Sequence, residues 1–341
     1  MKANPKRVVF CFLLMLLLTF PLYFSISLII YHRSEEYAGE NGLHISAIYN
    51  SPIPINDLPG SLTNWTWARD QGYCTGSGTS SNPYIIRNHI FNASLAGTSP
   101  LSIRNSLKHF IIEDCFFIAD SIFAGIYFLN VTNGIVRGNS MGANVGALIS
   151  MRNSSYNLIS NNIASDGAVY GIELNGYNGA VQYNTISNNI VSRNLNTGIR
   201  LQNGCNNNII SENIISDNGI YGISLDNFSV NNEIFLNCLN NTDNAIDNGT
   251  NNQWDTGNRG NYWDDYPDDD GNGDGIGDTP YDITGSAGSQ DNYPLMKCPE
   301  RSAGGEIPGY KIGILVSSLF VLTIGIIYLT LKKKINSHSL Y

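Results

Sequence analysis

Gly171-Ile172-Glu173-Leu174-Asn175 and Gly198-Ile199-Arg200-Leu201-Gln202-Asn203 are two copies of one phrase, and its recurrence decides the fold. Further copies stand at Gly125-Ile126-Tyr127-Phe128-Leu129-Asn130 and Gly222-Ile223-Ser224-Leu225-Asp226-Asn227, with a weaker one at Gly146-Ala147-Leu148-Ile149-Ser150. Successive starts are 21, 25, 27 and 24 residues apart. A repeat of this length marks a stacked architecture. Apolar and polar side chains alternate within each phrase, which is the pattern of a strand with one buried face. The inward pairs are Ile126/Phe128, Ala147/Ile149, Ile172/Leu174, Ile199/Leu201 and Ile223/Leu225.

A second element of the form apolar-x-x-Asn-apolar follows each phrase, as in Ile159-Ser160-Asn161-Asn162-Ile163 and Ile186-Ser187-Asn188-Asn189-Ile190. The turns are rich in Asn, Gly and Ser, which accept left-handed backbone. No stretch between strands has the length or the 3.6-residue period of a crossover helix. Coils of roughly 24 residues with two or three short strands make an all-β, right-handed parallel β-helix, here of about seven coils. Asn139, Asn162, Asn189, Asn213 and Asn237 recur at one point of the coil and form a structural amide ladder, with Asp114 leading the row. Tyr84-Ile85-Ile86 reads as the first strand. The repeats occupy 69–253, after a linker and the start of an N-terminal cap at 32–68 that contains Trp65 and Trp67. An acidic C-terminal cap follows at 254–296, then a linker at 297–309.

Val8 to Tyr31 is almost unbroken apolar sequence behind Lys2, Lys6 and Arg7, and Tyr310 to Leu331 is a second apolar span followed by Lys332, Lys333 and Lys334. Both are long enough to cross a bilayer. The basic flanks make 1–7 and 332–341 cytoplasmic tails and leave the repeats outside the cell. A cleaved signal at the first span gives the same outside placement. The net charge of −9 disfavours nucleic acid as a partner. Seven sequons lie outside, at Asn64, Asn92, Asn130, Asn153, Asn227, Asn240 and Asn248. Of the six cysteines, Cys11 falls in the first span, so an odd number is external.

Between Asp264 and Asp291 there are nine Asp and no Lys or Arg. Asp270, Asn272 and Asp274 match positions 1, 3 and 5 of a calcium loop, Gly275 the turn and Asp278 position 9, with Asp268 adjacent. Hard oxygens on a Gly-rich backbone suit Ca²⁺, although Tyr281 stands where a bidentate Glu belongs. The outward positions of the repeats read Ser102/Arg104, Tyr127/Leu129, Leu148/Ser150, Glu173/Asn175, Arg200/Gln202 and Ser224/Asp226. They offer one candidate for chemistry. Glu173, Arg200 and Asp226 lie on consecutive coils as an acid–base–acid stripe, and glycosidases use two carboxylates about 5–9.5 Å apart. The alternative is an ordinary surface ion-pair row. Tyr127 is the main outward aromatic, with Tyr170, Tyr177 and Tyr221 near turns.

The repeats resemble those of the NosD-like β-helix family of carbohydrate-binding proteins and sugar hydrolases. Gly260-Asn261-Tyr262-Trp263-Asp264-Asp265-Tyr266, Gly273-Asp274-Gly275-Ile276-Gly277-Asp278-Thr279-Pro280-Tyr281 and Asp291-Asn292-Tyr293-Pro294-Leu295 resemble the closing segment of archaeal members. Gly76 to Ile86 resembles their opening segment. Ile307-Pro308-Gly309-Tyr310, before an apolar span and a basic tail, is similar to archaeal C-terminal sorting signals, which implies processing by an archaeosortase-like enzyme. The copper role of the founding member is not carried over, because His89, His109, Met141 and Met151 do not cluster in the sequence. The resulting expectation is a membrane-anchored, non-enzymatic extracellular module that binds glycan or another envelope component and is rigidified by calcium. The alternatives are a polysaccharide lyase or hydrolase using Glu173, Arg200 and Asp226, and a purely structural envelope or adhesion protein.

Overall fold

The computed structural model describes residues 45–299 apart from Leu95, Ser121, Ala143, Asn144 and Asn178. The spans read at 8–31 and 310–331 lie outside the described residues. Among the described residues no helix is long and apolar enough to cross a membrane. The strands stack into three parallel sheets of nine, eight and seven strands. Each coil visits the eight-stranded, the seven-stranded and then the nine-stranded sheet, as in Leu101–Ser106, Phe110–Glu113 and Phe116–Ile118. The fold is an all-β right-handed parallel solenoid of about seven coils. The recurring phrase builds the eight-stranded sheet, with Ile126, Ile149, Ile172, Ile199 and Ile223 stacked in one row, but the weak copy is offset by two residues, so Ile149 and Met151, not Ala147 and Ile149, stand with Ile126 and Phe128. All five are fully buried, and each contributes about 2 kcal/mol relative to an exposed side chain.

One backbone device turns every corner from the seven- to the nine-stranded sheet. Asn88, Asp114, Gly138, Asn161, Asn188, Glu212 and Leu236 all have positive φ. A left-handed residue interrupts strand pairing, so the next backbone N–H needs another acceptor. The asparagine one coil further on supplies it. Asn139 N–H and Asn139 Nδ2 both donate to Asn162 Oδ1 at 3.0 Å, and the pattern repeats from Asn162 to Asn189, Asn213, Asn237 and Asn261. Asp114 does not lead this row. It is the left-handed residue, and Cys115 stands at the ladder position, its N–H donating to Asn139 Oδ1 at 3.0 Å.

The same device recurs at the other two corners. Asn157, Asn184, Asn208, Asn232 and Asn252 form a second ladder, and Asn194, Asn218, Asn241 and Asn244 a third. All three rows end on carboxylates. Asn261 N–H donates to Asp291, Asn252 Nδ2 to Asp247, and Asn244 Nδ2 to Asp264 and Asp265. The last donor of a row needs a group that only accepts, and an aspartate is one.

Three boundaries differ from the sequence reading. Ala47–Tyr49 and Ile53–Asn56, placed in the linker, already pair with His89–Asn92 and Leu101–Ser106. Tyr84–Arg87 is therefore the third strand. The chain leaves the stack after Asn56 to lay helix α1 (Trp65–Asp70) over its end, and the signal is lost because one coil is split by this excursion. Asn64 caps the helix by accepting the Trp67 N–H at 3.0 Å. Buried Trp65 stacks on Tyr84 at 4.7 Å and donates from Nε1 to Ser106 Oγ. At the other end Tyr262–Trp263, assigned to the cap, still extends the nine-stranded sheet. Trp254, Trp263 and Tyr281 pack together there, which protects the edge strands. Cys238 and Cys298 are joined by a disulfide that ties the segment after the cap to the last coils.

Candidate binding groove on the eight-stranded sheet

The outer face of the eight-stranded sheet carries a groove of about 470 Å³. Its floor is a register row from four successive coils: Ser102, Tyr127, Ser150 and Glu173. One wall comes from the turns that enter the sheet, with Thr98, Phe123 and Tyr170. Ala124 and Ala147 keep the floor low beside Tyr127. Leu148, expected to point outward, is buried. It sits at the corner where the chain enters the sheet. A side chain there meets the core, as a Cβ at Gly171 would meet Val191 and one at Gly198 would meet Ile215.

Arg104 and Arg152 flank Tyr127. Their register partner on the middle coil is Leu129, and their guanidinium carbons lie 5.5 and 5.9 Å from the Tyr127 ring centroid. Such cation–π contacts hold a guanidinium against an aromatic without neutralising it. Arg200 lies 4.9 Å from the Tyr170 ring centroid and donates to the Tyr170 hydroxyl. Burial pulls the Arg200 pKa below its usual value.

Glu173, Arg200 and Asp226 lie on consecutive coils and on one face, with Asp226 near enough to act on the Arg200 charge, but they do not share one register row. Glu173 and Arg200 are register partners, but Arg200 pairs onward with Ser224, and Asp226 falls two residues further along. Asp226 is a turn carboxylate, accepting from Asn203 N–H at 2.7 Å, Phe228 N–H at 3.1 Å and Ser229 Oγ at 2.8 Å. Glu173 accepts from Ser150 Oγ at 2.7 Å and Gln202 Nε2 at 2.8 Å. Counting from Gly171, Gly198 and Gly222 sets Asp226 in line with Asn175 and Gln202, and the register agrees, so the three charged residues share a face but not a row.

In the acidic cap, Asp270 accepts from the N–H groups of Gly273, Asp274 and Gly275, and Asp274 from that of Ile276. The Thr279 hydroxyl donates to Asp268 and holds it below the usual carboxylate range. Asn272 Oδ1 accepts from Asp274 N–H, and Asp278 Oδ2 from Gly271 N–H. Among the described residues no three His, Cys, Asp or Glu side chains are placed to hold a metal ion. Cys74, Cys115 and Cys205 are free and buried, and burial pushes each thiol up to about 12. Of the sequon asparagines, Asn130, Asn227 and Asn240 are exposed. Asn64, Asn92, Asn130 and Asn248 engage their side chains in hydrogen bonds.

Sequence reasoning missed Arg152, whose relation to Tyr127 requires the register, and the exposed stacked pair Tyr156–Tyr183, with ring centroids 5.1 Å apart.

Residues 60–189 match the family model described as right handed beta helix region. Residues 175–267 match the one described as periplasmic copper-binding protein (NosD). The chain is thus similar to β-helix proteins along most of its coils and to the NosD family over the later ones. No curated protein matches the chain significantly. Among solved structures it is similar to the A-module of mannuronan C-5 epimerase from Azotobacter vinelandii, with 14% identity, 62% of this chain and 72% of that chain covered, and a TM-score of 0.20. Copper needs several converging Cys, Met or His donors. Burial pushes the Cys115 thiol up to about 12, His89 is buried with its pKa lowered by desolvation, and no three His, Cys, Asp or Glu side chains converge among the described residues, so this donor set does not fit copper.

Proposed function

We propose that this chain is a non-catalytic β-helix module that binds glycan in the groove over the eight-stranded sheet, displayed outside the cell and anchored through the apolar segments 8–31 and 310–331. The groove is the observation that carries the reading. It joins an aromatic ring, Tyr127, to serine hydroxyls and guanidiniums along a concave floor crossing four coils, which suits an extended ligand with both apolar and polar faces. The displacement of Asp226 from Glu173 favours binding over hydrolysis by a carboxylate pair. Calcium belongs to the same reading, with Asp268, Asp270, Asn272, Asp274 and Asp278 as ligands once their loop rearranges around the ion.

The test is to incubate the full chain with neutral and acidic polysaccharides, following retention of the glycan and release of new reducing or unsaturated ends. Retention without cleavage is the expected result. Cleavage that disappears in Glu173→Gln would overturn the non-catalytic reading. For calcium, titration calorimetry with millimolar Ca²⁺ should show binding and a raised melting temperature. No heat and no shift would remove the metal from the proposal.

A further inference from the structure

We infer that the groove selects a polyanionic glycan, one bearing carboxylate or sulfate groups, and that Arg104 and Arg152 are the residues that grip it. This rests on the glycan-binding reading above and adds the ligand's charge and the residues that recognise it.

Four observations converge. Arg104 and Arg152 occupy equivalent outward positions two coils apart, with Tyr127 on the coil between them. Stacked coils are about 4.8 Å apart, so the two attachment points are separated by roughly 10 Å. Each guanidinium lies near the same ring, at 5.5 and 5.9 Å. The aromatic spacer therefore restrains two cations that would otherwise swing freely in solvent.

Neither cation is ion-paired among the described residues. The ion pairs formed by arginines lie elsewhere, at Arg69–Asp70, Arg87–Glu113, Arg137–Glu113 and Arg193–Asp166. Glu173 is the carboxylate among the groove-lining residues, and its two oxygens are engaged by Ser150 and Gln202. In a chain of net charge −9, two unneutralised guanidiniums in one concavity form a local positive site. A planar guanidinium fork matches carboxylate and sulfate oxygens in two parallel hydrogen bonds.

The floor also leaves room. Ser102 and Ser150 lie on either side of Tyr127 in the register row, and Ala124 and Ala147 stand beside it. A sugar chain can run along the coils with an acidic substituent meeting each arginine. Nucleic acid is the competing polyanion. The acidity of the rest of the molecule opposes a long, densely charged duplex or strand more than it opposes a glycan with spaced charges.

The experiment measures binding of the full chain to immobilised polygalacturonate, a sulfated galactan, a neutral mannan and single-stranded DNA, at low and moderate salt. The acidic glycans should bind with salt-sensitive affinity and the mannan at least about tenfold more weakly, the size expected for losing a charge-assisted hydrogen bond. Polygalacturonate against sulfated galactan tells carboxylate from sulfate recognition. Arg104→Gln and Arg152→Gln should each weaken acidic-glycan binding by about tenfold. Both residues are exposed, so melting temperatures should stay at the wild-type value. Arg87→Gln, on the seven-stranded sheet, should bind as wild type. Equal binding of mannan, with both groove variants unchanged, would overturn the arginine grip and leave glycan binding intact. DNA binding as tight as that of the acidic glycans would overturn the glycan assignment of the grip. Binding of no polysaccharide would overturn the functional reading itself.

Discussion

Asp291 Oδ2 accepts the backbone N–H of Asn261 at 2.7 Å and the indole N–H of Trp263 at 2.8 Å, so one buried carboxylate ends an amide ladder and fixes the aromatic lid over it. Burial raises its pKa from 3.8 to about 6, against the pull of these donors. A raised folded-state pKa means that the group's contribution to stability is full below pH 3.8 and is lost as pH rises through about 6. Wild type should therefore lose about 3 kcal/mol across that window from this group. Asp291→Asn should remove that part of the slope while lowering stability at every pH, because the new amide offers donors where acceptors are needed. Urea unfolding at several pH values checks it, and an unchanged slope in the variant would refute the assignment.

The ladders should be costly to interrupt in mid-stack. Asn189 accepts from Asn162, and donates to Asn213 Oδ1 and Ile159 O. Asn189→Ala strands donors and an acceptor in a dry interior and should cost about 2–4 kcal/mol. Asn207→Gly, at a left-handed position with φ of 54°, should change stability by less than about 0.5 kcal/mol. Chemical denaturation of the two variants separates an inward ladder amide from a left-handed turn residue.

Removing the N-terminal cap's anchor should expose the first coil. Trp65 packs against Tyr84 and Phe110, with ring centroids 4.7 and 5.1 Å away. Trp65→Ala should destabilise the chain by about 3–5 kcal/mol, and hydrogen exchange should quicken first in Ile53–Asn56 and Tyr84–Arg87. Exchange that quickened uniformly along the stack would show that the cap has no local role.

Cys238 and Cys298, 60 residues apart, close a loop that contains the whole acidic cap. Reduction, or Cys298→Ser, should lower stability by up to about 4 kcal/mol on the chain-entropy account. A melting temperature indifferent to reductant would mean that the cap holds without the covalent link.

The parallel stack is legible in the sequence because its signal is periodic. Ile126, Ile149, Ile172, Ile199 and Ile223 each recur with an alternating partner, and the row from Asn139 to Asn237 follows at a similar offset. The first coil is not legible, since the helix α1 excursion separates Ile53–Asn56 from Tyr84–Arg87. The second and third ladders are hidden by composition: in so Asn-rich a chain, Asn157 and Asn194 look no different from the turn asparagines around them. The groove is half visible. Arg104 and Tyr127 read as outward, but Arg152 lies beyond the end of the weak copy at Gly146. Asp226 stands where counting from Gly222 puts it, two residues past the row of Glu173 and Arg200.

The three rows of amides also give the stack a direction. Along each row the side-chain oxygen of one asparagine receives hydrogens from the coil before it, and its own amide donates to the oxygen on the coil after it. Each interior coil is therefore a connector with one plug and one socket, and a coil inserted between two others meets a matching partner on both sides. The two ends are not interchangeable. Donors run out at the aspartates, and Asp247 and Asp291 lie buried beneath the cap with their oxygens already engaged, so those two rows leave no free socket for a further coil. Such a protein lengthens most readily by internal duplication, whereas adding a coil at the C-terminal end would first require Asp247 and Asp291 to give up the donors they hold.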